Sequence, residues 1–151
     1  MKYEQLLQAE FGDLVVIREE SQNKEYQGMV IKTAENNTLI RTRLAKKTDK
    51  KEGYFVAFWK KNEFGKNRSF DESDRADFLC IVVIDGDLDG LFVFPRQCLI
   101  DKGILTSKTR NGKMAARFYP PWCKDLNKTA KKTQAWQQVY FKNYSIIKGD
   151  H

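Results

Sequence analysis

Two unbroken apolar runs separated by a short acidic turn constrain this chain more than any other feature. Residues 78–84 (FLCIVVI) and 91–94 (LFVF) flank DGDLDG, which predicts a tight turn between antiparallel strands. A further dense run at 54–59 (YFVAFW) is apolar on both faces and is expected to lie centrally in the sheet. Strands that are apolar on both sides need cover on both sides, so a layered domain follows.

The remaining segments supply that cover. Residues 2–9 (KYEQLLQA) predict a short helix with Leu6 and Leu7 inward, and 14–17 (LVVI) either a strand or a continuation of that element. Residues 27–33 and 38–44 flank Asn36-Asn37, a turn pair that tolerates positive φ, and predict a hairpin. In its second strand Leu39, Arg41 and Arg43 share one face, and Ile40, Thr42 and Leu44 the other. Residues 45–52 (AKKTDKKE) read as a basic loop, and 60–74 as a polar stretch turning at Gly65. Pro95 is placed for the first turn of a helix that Gly103 ends. Segments 105–107 and 113–119 predict a hairpin about Asn111-Gly112. Asn127 is the expected N-cap of a last helix reaching about Asn143, with Ala130, Thr133, Trp136, Val139 and Tyr140 on one face. The expected fold class is therefore α/β (α+β mixed). It is read as a single layered domain over residues 1–151, with a mostly antiparallel central sheet flanked by helices.

At 151 residues the chain is long enough for one full core, and its 41% hydrophobic content excludes a disordered segment. No apolar run approaches the roughly 20 residues that cross a bilayer, and no secretory segment follows Met1. Three cysteines without CxxC spacing predict neither a closed zinc site nor a disulfide, and a reducing cytoplasmic setting is expected. Cys80, inside an apolar run, is read as a small core residue. The single histidine is His151, the last residue, which removes the central group from imidazole bases, Ser/Cys–His triads and histidine metal sites. No cofactor is expected, since GxxxxGK[ST] and GxGxxG are both missing.

The net charge of +7 is unevenly distributed. Residues 41–68 carry 10 basic and 3 acidic groups, 71–89 carry 1 and 7, and 96–148 carry 12 and 2. If folding joins the two basic blocks they form a charged face, and a phosphate backbone is the commonest target of such a face. The acidic turn Asp85-Gly86-Asp87-Leu88-Asp89-Gly90 lacks the glycine and the bidentate glutamate of a calcium loop and reads as a solvated hairpin turn. Asp49-Lys50-Lys51 is the one [DE]-x-K triplet and falls in the polar loop rather than on a strand, so no metal site is read from it.

Five segments together resemble a known family: EYQGMVIK, RTRLAKKTDKKEGYFVAFWKKN, GLFVFPRQCLIDKGILTS, GKMAARFYPPW and NKTAKKTQAWQQVYF. Their ordered motifs, FVxxW, FVFP, GKxxxRxYPPW and KTQxWQxxYF, resemble the MepB-like proteins over most of Glu25 to Phe141. The basic strand of that family commonly continues AK-x-TP-x-K, whereas Asp49 follows Thr48 here, and Met114-Ala115 stand where a basic-glycine pair is common. The resemblance implies a compact α/β domain similar to the restriction-endonuclease-like and transfer-RNA-endonuclease-like folds. It implies no reaction, because fold is not function.

Three readings follow. The first is a module that binds nucleic acid through its phosphate backbone, with Arg41, Arg43, Lys46, Lys51, Lys113 and Arg117 as basic groups and Tyr119 and Trp122 as aromatic ones. Trp59 and Trp136 read as core packing, and Gln134 and Gln137 as surface groups. The second is a divalent-metal nuclease using Glu25, Glu35 and Asp77. The third is a regulatory module for a small anion or a protein partner, served by the same basic groups. Oligomeric state and the choice between DNA and RNA are open at this level.

Overall fold

A computed structural model describes residues 2–145; His151 lies outside them. A six-stranded sheet forms the middle layer. Its strands are β1 (Leu14–Glu19), β2 (Met29–Thr33), β3 (Leu39–Leu44), β8 (Phe78–Asp85), β9 (Leu88–Pro95) and β11 (Phe141–Asn143), hydrogen-bonded in that order. All neighbours are antiparallel except β3 and β8, which run parallel, with Arg41 beside Leu79 and Arg43 beside Ile81. A second sheet has the order β10 (Ala115–Phe118), β5 (Tyr54–Ala57), β4 (Lys46–Lys47), and a separate hairpin joins β6 (Trp59–Lys61) to β7 (Asn67–Ser69). The helices are α1 (Tyr3–Phe11), α2 (Arg96–Asp101) and α3 (Lys128–Gln137), and 3₁₀ turns cover Ser21–Tyr26 and Gln138–Tyr140. The architecture is mixed α/β.

The β8–β9 hairpin is the spine. Asp85 pairs with Leu88, so the turn proper is only Gly86-Asp87, with Gly86 at φ 63° as such a short connection requires. Alternation then sends Cys80 and Val82 to one face and Leu79, Ile81 and Val83 to the other. Cys80 and Val82, with Ile31, Ile40 and Leu91, pack under Tyr3, Leu6 and Leu7 of α1. The other three, with Phe92 and Phe94, pack against Tyr54, Val56 and Phe118 of the second sheet and Ala130 of α3. Phe118, wholly buried between the sheets, stabilises this layer by about 1.5–3 kcal/mol.

Several elements depart from the sequence expectation. The run 54–59 is central in the small second sheet rather than in the large one, and it breaks at Phe58 before β6 begins. Residues 45–52 are not all loop, because Lys46 and Lys47 pair with Phe55 and Tyr54. The stretch 60–74 is partly the β6–β7 hairpin. The hairpin expected about Asn111-Gly112 does not form. β10 pairs with β5 instead, Lys113 precedes the strand, and Thr106 makes one isolated bridge to Asp71. The last helix ends at Gln137, and residues 141–143 turn into an edge strand on β9, leaving Val139 exposed rather than on a buried face. Asn127 caps α3 as expected, accepting from the Ala130 amide at 2.8 Å. Gln137, expected at the surface, is buried between α3 and β10.

Candidate functional site

The eight basic and aromatic candidates separate into two groups. Arg41 and Arg43 leave the same face of β3, as alternation requires, but the second sheet covers that face. Glu20 Oε1 accepts from Arg41 Nε at 2.9 Å and from Arg43 Nη1 at 2.8 Å. Arg43 further donates to Asn23 Oδ1 at 2.7 Å and to the Thr42 carbonyl at 2.9 Å, and the Arg41 guanidinium lies 3.6 Å from the centre of the Phe70 ring. Gly28 is needed beside this cluster, since a Cβ there would sit 2.9 Å from the Arg43 guanidinium. Burial opposes ionisation of Glu20, yet the two guanidinium charges and their hydrogen bonds hold its carboxyl below its ordinary value. Both arginines are held inside the molecule by Glu20. No local signal in the sequence marks Glu20 or Asn23, because their partners lie some twenty residues away.

The other six candidates gather on or beside the second sheet. Lys46, Phe55 and Arg117 form one cross-strand row, since Phe55 is the register partner of both Lys46 on β4 and Arg117 on β10. Val56, Tyr54 and Phe118 face the core, so the row occupies the opposite, outward face. Tyr26 packs against Phe55 with ring centres 6.3 Å apart, and Lys46 Nζ lies 5.1 Å over the Tyr26 ring. Arg117 donates to the carbonyls of Glu52 and Lys51 at 3.3 and 3.2 Å and to Thr48 Oγ1, which fastens the 48–52 loop to β10. Gln137 supports the strand from behind, accepting from the Tyr119 amide at 2.9 Å and donating to the Arg117 carbonyl at 3.0 Å.

Two clefts flank this sheet. One of about 280 Å³ is lined by Lys113, Arg117 and Tyr119 together with Lys102 and Trp136. The other, of about 380 Å³, lies between the 47–53 segment and the β8–β9 turn and includes Lys51 and Trp122. Within the second cleft Trp122 Nε1 donates to Tyr54 Oη at 2.9 Å, and the Tyr54 hydroxyl donates to Asp85 Oδ2 at 2.7 Å. Lys47 Nζ stands 3.4 Å from the same carboxylate oxygen. Burial and the bond to Asp85 push the Tyr54 phenol well above its ordinary value, so it remains a donor at neutral pH. Cys123 borders the cleft as a thiol, raised by burial to about 11.

The carboxylates of the nuclease reading are not brought together. Glu25 pairs with Lys46 at 3.2 Å, beyond the C-terminal end of β3. Asp77 Oδ2 accepts from the Leu39 amide at 2.9 Å, at its N-terminal end. A strand of that length keeps them about 20 Å apart. Glu35 is exposed in the β2–β3 turn. Among the described residues no group of three His, Cys, Asp or Glu side chains could hold a metal ion. No helix among them is long and apolar enough to cross a membrane.

Comparison with known proteins places this arrangement in a family. A search of curated proteins found no match. A solved structure described as the crystal structure of MepB is similar to the chain at 42% identity with a TM-score of 0.85, covering 97% of this chain and 100% of that one. The MepB-like family model matches residues 20–143, which include the Glu20 cluster, the whole second sheet and α3. The chain belongs to the MepB-like family.

Proposed function

We propose that this protein is a nucleic-acid-binding module that takes the phosphate backbone across the outward face of its second sheet. The observation that carries the reading is the cross-strand row of Lys46, Phe55 and Arg117, with Tyr26 packed beside it. Cations spaced about 5 Å from an aromatic ring along neighbouring strands match a charged polymer whose phosphates alternate with flat bases. Lys113 and the lysines of the 46–51 segment extend the positive surface to either side. Arg41 and Arg43 act from beneath, fixing the strand and turn against which the second sheet packs. The nuclease-like fold implied by the sequence resemblance is consistent with this reading but does not carry it.

The test is a salt series. Binding of a fluorescent oligonucleotide should weaken linearly on logarithmic axes, with a slope of about 0.9 per phosphate contact on duplex and about 0.7 on a single strand. Lys46→Ala and Arg117→Ala should each lower that slope by about one. A flat salt series, or displacement of the oligonucleotide by millimolar inorganic phosphate, would overturn the reading and favour a small-anion module.

A further inference from the structure

The geometry points to a base-reading subsite in the 380 Å³ cleft beside the second sheet: Asp85 accepts the exocyclic amino group of a nucleobase whose phosphate lies among Lys47, Lys50 and Lys51. This rests on the nucleic-acid reading and adds to it a choice of base.

The arrangement of Asp85 is the reason. It sits at the end of β8, where the two-residue turn holds it rigidly, and it remains accessible, with 28% of its side chain exposed. Oδ2 is already occupied by the Tyr54 hydroxyl at 2.7 Å and approached by Lys47 at 3.4 Å. Tyr54 cannot swing away easily, because it is buried and its oxygen accepts from the Trp122 indole at 2.9 Å. The carboxylate is thus fixed in rotation, and Oδ1, which makes no hydrogen bond or ion pair among the described residues, is the acceptor left for a ligand. A volume of 380 Å³ accommodates one base, and Leu88 and Trp122 supply apolar lining. The three lysines are offset by Asp49 and Glu52 in the same lining, so the cleft is polar in both signs rather than a bare cation patch.

An acceptor so placed discriminates among bases. Adenine, cytosine and guanine carry an amino group at the base edge. The imino hydrogen of thymine or uracil is flanked by two carbonyl oxygens, which would face the carboxylate unfavourably. Replacing Asp85 by asparagine reverses the preference: Tyr54 donates to the remaining amide oxygen, and the amide NH₂ is left facing the cleft, where it suits the O4 of thymine.

The experiment compares oligo-dC with oligo-dT of equal length at one salt concentration and pH 7.5. Wild type should bind dC about tenfold more tightly, and Asp85→Asn should abolish or invert that ratio while the salt slope stays as in wild type. Because the ratio is internal to each protein, partial unfolding of a variant cancels from it. Tyr54→Phe, which frees the carboxylate to rotate, should reduce the ratio without inverting it. Equal affinity of wild type for the two oligonucleotides, or a ratio unchanged in Asp85→Asn, would overturn the subsite while leaving backbone binding standing. Failure to bind either strand would instead remove the reading on which it rests.

Discussion

Arg43 is buried completely and donates to Glu20 Oε1 at 2.8 Å, joining the C-terminal part of β3 to the residue just ahead of the Ser21–Tyr26 turn. Arg41 shares the same oxygen, so two guanidinium groups depend on one carboxylate. Removing the acid leaves both cations buried without compensation. Glu20→Gln is therefore expected to destabilise by about 3–5 kcal/mol. For a chain of this size that lowers the melting temperature by roughly 6–20 °C, measured by calorimetry or circular dichroism.

The same pair has a signature in pH. The folded-state value of Glu20 is depressed by Arg43 and Arg41 against the opposing effect of burial. Its stabilisation is thus fully present above the unfolded-state value of about 4.3 and is lost as pH falls through the lower folded value. Urea denaturation at pH 7 should show the full difference between wild type and Glu20→Gln. That difference should shrink as the pH is taken below 4; a constant gap would mean the carboxylate is not the ionised partner.

Arg41 and Arg117 carry equal charge and should give opposite phenotypes. Arg41→Ala is expected to lower the melting temperature, with little change in the affinity of the folded fraction. Arg117→Ala should weaken oligonucleotide binding and its salt slope, while stability falls only by the loss of its bonds to the 48–52 loop. The double substitution Lys131→Ala with Lys132→Ala removes two charges from the exposed side of α3 and serves as the control for net charge. Equal losses of binding from this double and from Arg117→Ala would indicate a diffuse field.

Gln137 satisfies two backbone groups on the outer edge of the second sheet, the Tyr119 amide and the Arg117 carbonyl. Gln137→Leu keeps the volume but leaves both without a partner, at about 1–3 kcal/mol each. Lower stability accompanied by faster hydrogen exchange at Tyr119 would identify the cause. Unchanged exchange there would show that α3 is not what holds the end of β10.

Cys80, Cys98 and Cys123 are all buried, and burial raises each thiol, Cys123 to about 11. At pH 8 the native protein should react slowly with a thiol reagent such as dithionitrobenzoate. All three should titrate at once in denaturant. Rapid reaction of one native equivalent would point to Cys123 beside the cleft.

Much of the main sheet was legible because its signals are local. The β8–β9 hairpin follows from two apolar runs about an acidic glycine turn, the β2–β3 hairpin from Asn36-Asn37, and the start of α3 from its Asn127 cap. Charge and resemblance point to Lys46, Arg117 and Lys113, but nothing in the sequence shows that the first two flank Phe55. The misreadings have a common form. Residues 54–59 look central because they are apolar on both sides, yet the same pattern suits a strand sandwiched between a core and Tyr26. Residues 138–143 continue a helical pattern, but Phe141 gains more by packing 4.7 Å from Phe92 and pairing with β9, a contact possible because position 90 is glycine.

By itself the sequence determined the α/β class, the two hairpins of the main sheet, the burial of Cys80 and the shared face of Arg41 and Arg43, because each depends on residues within one or two turns or strands. Only the tertiary structure decided that this shared face is covered. Whether a charged pair on a strand meets solvent depends on the layer laid over it, and here Glu20, Asn23 and the second sheet close over the arginines from distant parts of the chain. The outward row on the opposite side of that sheet arises in the same way: Lys46 and Arg117 are 71 positions apart and become neighbours only through their common partner Phe55.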